Sequence, residues 1–96
     1  MEYLFIQRIG DREAVGRIID ELNKYPKEKL IEAYNNQVRI GIVGAHAQAQ
    51  RIVALNIIFN HVFKRSPIVI QDNVLIKLTG RIVYEKENWI YESNAS

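Results

Sequence analysis

Residues Val38 to Lys64 read VRIGIVGAHAQAQRIVALNIIFNHVFK. Val38, Ile40 and Ile42 alternate with Arg39 and Gly41, which is the period of a strand. Gly44 then supplies a turn, and Ala45 to Lys64 is expected to form one long helix. Ile52, Leu55, Phe59, Val62 and Phe63 make a wide apolar stripe at helical spacing, the expected centre of the core. The opposite side mixes His46, Gln50, Val53, Ile57, His61 and Lys64. A helix apolar on two sides is either sandwiched in its own domain or covered by a second subunit. A homo-oligomer is therefore expected, with Val53, Ile57 and His61 as its contact surface. Short apolar runs also fit helix. On that alternative for residues 38–43 the strand-and-turn argument lapses.

Upstream, Tyr3 to Ile9 is aromatic and β-branched, as a first strand requires. Gly10-Asp11 stops it, and Asp11 suits the N-cap of a following helix. In Arg12 to Lys24, Val15, Ile18, Ile19 and Leu22 fall on one helical stripe. Gly16 inside that helix is tolerable if another element packs close to it. Tyr25-Pro26 ends it, and Pro26 opens a shorter helix, Lys27 to Tyr34, broken by Asn35-Asn36. Downstream, Arg65-Ser66-Pro67 ends the long helix. Ile68–Ile70, Val74–Leu78, Arg81–Tyr84 and Trp89–Tyr91 read as strands, with turns at Gln71-Asp72-Asn73, Thr79-Gly80 and Glu85–Asn88. The expected order is β-α-α-β-α-β-β-β. That is a single α+β domain spanning residues 1–96, its long helix packed on a β-meander.

Composition agrees with a small folded domain. The 96 residues are 48% hydrophobic and 25% charged, which argues against disorder. A net charge of +2 neither requires nor excludes nucleic acid. The absence of cysteine rules out disulfides and thiolate metal sites. Met1-Glu2-Tyr3 lacks the basic start of a signal peptide, and Ile52 to Phe59 falls far short of a membrane span. The expectation is a cytoplasmic protein with no membrane partner.

A strand that turns on glycine into a helix start gathers unpaired N–H groups and the positive end of the helix dipole. The run from Arg39 to Ala49 also resembles the opening of a dinucleotide-binding βαβ unit, with Gly44 at the first glycine position and Asp72 as the acid. His46 and Ala49, however, stand where that motif has its second and third glycines. What is retained is a site for a small anion. Gln48 and Arg51 share the core-facing stripe at the helix start and need partners. Either they are spent internally, Gln48 on nearby backbone and Arg51 on a carboxylate such as Glu32, or Arg39, Gly44, His46, Gln48 and Arg51 together hold a ligand. Gly41–Gly44 also matches the GXXG spacing of KH domains, but its two apolar residues fit backbone clamping poorly.

The two histidines lie too far apart on one helix to share a metal, and no serine sits in a nucleophile motif. No catalytic set, metal or cofactor is expected. The reading is a noncatalytic, homo-oligomeric binding module for a small anionic ligand, first of all a nucleotide. Two alternatives are a nucleic-acid-binding surface built on Lys64, Arg65, Lys77 and Arg81 among aromatics, and a structural or protein-interaction subunit.

Overall fold

The computed structural model describes residues 2–4, 8–71 and 75–95. Its elements are β1 (Glu2–Leu4), α1 (Asp11–Leu22), α2 (Lys27–Ile40), α3 (His46–Val62), β2 (Ile68–Gln71), β3 (Leu75–Leu78), β4 (Ile82–Glu85) and β5 (Asn88–Tyr91). A short 3-10 turn, Glu92–Asn94, follows β5. The architecture is α+β, helices first and strands after, with β1 the exception. The middle of the expected first strand, residues 5–7, and residues 72–74 around the expected Asp72 turn lie outside the described residues.

The long helix is the centre of the core, as its stripe predicts: Ile52, Ala54, Leu55, Ile58 and Phe59 are all buried. Contacts between Asp11 and both His46 and Gln50 show that α1 and α3 start at the same end and run parallel. Helix α2 returns antiparallel on another side, where Tyr34 and Phe59 meet with ring centroids 5.9 Å apart. The two-sided apolar character of α3 is thus met largely within one chain. Val53 is half-buried against the core, while Ile57 and His61 remain exposed.

The strand expected at residues 38–43 is not formed. Helix α2 continues to Ile40, followed by an irregular segment from Gly41 to Ala45. Leu30, Ile31, Tyr34 and Gln37 are buried at helical spacing, with Val38 half-buried beside them, so the helical period outweighs the short alternation. Asn35 does not break the helix, because its amide is used elsewhere. Gly41 ends it: its N–H donates to Gln37 O at 2.9 Å and its φ of 79° admits only glycine readily. The observed order is therefore β-α-α-α-β-β-β-β. Asp11 is the first helical residue rather than the N-cap, which is Gly10. Among the described residues no other element packs on Gly16, since a Cβ there would meet none of their atoms within 4 Å.

The meander is also divided. β3 pairs antiparallel with β2 on one side and with β1 on the other, giving the order β1-β3-β2. β4 and β5 form a separate hairpin. Helix α2 supplies the reason for the break between β3 and β4. The Asn35 side chain accepts from Ile82 N–H at 2.9 Å and donates to Ile82 O at 2.7 Å, taking the place of a neighbouring strand. One turn of the same helix also holds Tyr34, whose hydroxyl donates to Gly80 O at 2.7 Å and accepts from Gly80 N–H. The β4–β5 turn is Lys86-Glu87, both with positive φ, a geometry that asparagine and glycine adopt more easily.

Candidate functional site

The polar residues of the first two turns of α3 divide into two groups. On the α1 side the centre is Asp11, only 3% exposed. Its Oδ1 accepts from His46 Nε2 and from Gln50 Nε2, each at 2.7 Å, and its Oδ2 accepts from Arg8 N–H at 2.6 Å. An ionised carboxylate can only accept, so His46 carries its proton on Nε2. Burial alone would raise the Asp11 pKa. The hydrogen bonds from Arg8, Gln50 and His46, with the His46 charge, outweigh it and lower the value to about 2. Asp11 also stands where two parallel helices bring their positive ends together, so its charge offsets both dipoles. The arrangement is a clasp between α1 and α3.

On the α2 side, Gln48 closes the segment that precedes α3. Its Oε1 accepts from Val43 N–H at 3.0 Å, and its Nε2 donates to Gly41 O at 2.8 Å and Gln37 Oε1 at 3.1 Å. Gln48 is thus spent on nearby backbone, the internal role weighed from sequence. Gly44, with φ 83°, lets the chain turn into the helix. The helix start itself has no side-chain cap.

Arg51, one turn further along, is different. It lines a cleft of about 200 Å³ between α2 and α3, with Tyr25, Lys29, Glu32, Asn36 and Gln37. The residue is half-buried, and its guanidinium makes no ion pair or hydrogen bond among the described residues. Glu32 shares the cleft but does not pair with it. Lys29 lies over the Tyr25 ring, 6.0 Å from its centroid. Two cations and one carboxylate leave the cleft net positive. Arg39 lies elsewhere, in a shallower groove of about 460 Å³ between α2 and β4, near Arg81 and Tyr84.

The five expected ligand residues are therefore not gathered at one point. His46 and Gln48 are engaged internally, Gly44 shapes the turn, Arg39 faces β4, and Arg51 faces a cleft. Lys29 and Asp11 were not among the expected residues. The sequence signal for Asp11 is an acid placed just ahead of an amphipathic helix, and it reads equally as a cap.

The four alternative cations also separate. Arg65 stacks on the Trp89 ring, 3.9 Å from its centroid, and donates to Trp89 O, while Trp89 Nε1 donates to Arg65 O. Arg81 pairs with Glu92 at 3.2 Å. Lys64, at positive φ just after α3, and Lys77 on β3 are exposed. Trp89 is buried and offers no free face for a base.

Among the described residues no three His, Asp or Glu side chains converge as a metal site, and no helix is long and apolar enough to cross a membrane. No protein-family model matches the chain, and no similar curated protein or solved structure was found.

Proposed function

We propose that the protein is a noncatalytic binding module for a small anionic ligand, held in the α2–α3 cleft by Arg51 and Lys29. The observation that supports it is that half-buried Arg51 has no carboxylate partner among the described residues. A guanidinium left unpaired at a cleft is suited to a phosphate or carboxylate oxygen. The cleft volume of about 200 Å³ is below the range for a whole drug-sized ligand. A nucleotide would enter by its phosphate end, with the nucleoside outside. Such a module, homo-oligomeric and cytoplasmic, acts as a sensor, regulator or sequestering protein.

The test is calorimetric titration of the purified protein with inorganic phosphate, nucleoside mono-, di- and triphosphates and small dicarboxylates. Saturable binding that Arg51→Ala and Lys29→Ala each weaken at least tenfold is expected. A protein indifferent to the whole panel, or one whose binding ignores both substitutions, overturns the reading.

A further inference from the structure

The two sheets end in strand edges, and the chain treats those edges unequally. In the β4–β5 hairpin the N–H of Glu92 donates to Arg81 O, which fixes the alternation: Ile82 and Tyr84 of β4, and Trp89 and Tyr91 of β5, turn their backbone groups outward. Helix α2 lies along the β4 edge, with Asn35 on both backbone groups of Ile82. The residues just after α3 lie along the β5 edge, where Arg65 bonds Trp89 O and Asn88 Oδ1 accepts from Trp89 N–H. Each of these edges is closed at one residue, Ile82 on β4 and Trp89 on β5, by groups from outside the ladder or beside it.

The outer edge of β2 is not covered in this way. Thr79 N–H donates to Pro67 O, so Pro67, Val69 and Gln71 face β3 and Ile68 and Ile70 face outward. The Ile68 N–H is closed by Ser66 Oγ at 3.1 Å. The N–H and C=O of Ile70 have no partner among the described residues. The strand is short, but Ile68–Gln71 contains no charge and no proline, and Val69 is 38% exposed. β1, at the other end of the same sheet, is one residue shorter.

We infer that β2 is a self-association edge whose occupant is a second copy of this chain. Antiparallel pairing about a two-fold axis at Ile70 is self-complementary: each Ile70 N–H donates to the Ile70 carbonyl of the other copy. The uncharged edge brings no like charges together. The half-buried Ile70 side chains meet across the axis, and each Val69 lies beside Gln71 of the partner subunit. The product is one continuous sheet, β1-β3-β2-β2-β3-β1. Four residues per copy make a small interface, so the dimer is weak and depends on concentration. This deepens the oligomeric part of the proposed function and is independent of the ligand.

Sedimentation equilibrium with amide hydrogen exchange tests it. The expected mass rises from 11.2 kDa toward twice that value with concentration. Over the same range the Ile70 amide gains about tenfold protection. Val69→Lys, a change on an exposed side chain, abolishes both while leaving circular dichroism unchanged. A protein that stays monomeric, or an Ile70 amide unprotected at every concentration, overturns the inference. A dimer that survives Val69→Lys but is lost in Ile57→Glu overturns the β2 edge and keeps the oligomer, placing it on the exposed side of α3. None of these outcomes touches anion binding by Arg51.

Discussion

The α1 side and the α2 side of the first turns of α3 carry polar residues of similar kind and unlike fate. On the α1 side, His46 and Gln50 converge on the buried Asp11 carboxylate, and that group of residues is closed. On the α2 side, Gln48 closes the chain turn, but Arg51 one turn later lines a cleft. Buried polar groups stabilise a fold when every partner is supplied, and cost stability when one is missing. The clasp therefore belongs to the fold, and Arg51 is the residue of this helix start that folding leaves available.

The contrast can be broken most severely at Asp11. Asp11→Ala strands the His46 and Gln50 side chains and the Arg8 N–H together, so it is expected to lower the urea midpoint more than any other change at the helix start. The same carboxylate sets an acid response. Its folded pKa, about 2, lies below the ordinary 3.8, so its contribution is fully present above about pH 4 and is lost as pH falls toward 2. Urea titrations between pH 2 and 5 should show this slope in the native chain and a flatter one in Asp11→Asn. If the slopes match, Asp11 is not the titrating group.

Gln48→Ala should cost about 1–2 kcal/mol, because Val43 N–H and Gly41 O each lose a partner. Chemical denaturation measures it, and a value near zero would mean that water replaces the amide. Arg51→Ala should be the mildest to stability, within about 0.5 kcal/mol, while removing anion binding. A large stability loss there would instead make Arg51 a structural residue. Outside the comparison, Gly16→Ala should stabilise by about 1 kcal/mol, since the site is helical and open. Thermal melts suffice to check it.

How far the sequence reveals this architecture depends on whether the deciding contact is local. The Val15, Ile18, Ile19 and Leu22 stripe of α1 and the core stripe of α3 are periodic over several turns, and both helices form where that periodicity lies. The end of α2 was less legible, because Val38, Ile40 and Ile42 satisfy a strand period over a length too short to exclude helix. Tyr34, Gln37 and Val38 carry the helical period that prevails once α3 lies beside them. The split of the meander was not legible at all. It depends on Asn35 reaching a backbone 47 positions away, and nothing near Asn35 announces that role. In the same way, Gln48 and Arg51 looked equivalent on one helical stripe, and only the path of α2 separates the engaged residue from the open one.

The pairing of β1 with β3 has a consequence for synthesis. Glu2 lies opposite Lys77 and Leu4 opposite Leu75, so β1 finds its partner only beyond all three helices. At ordinary translation rates of about 5–20 residues per second, β1 leaves the ribosome several seconds before β3 does. During that interval the three helices can assemble on one another, but the leading segment has no strand to join. The sheet is thus completed only once β3 has emerged, after the helices that separate the two strands.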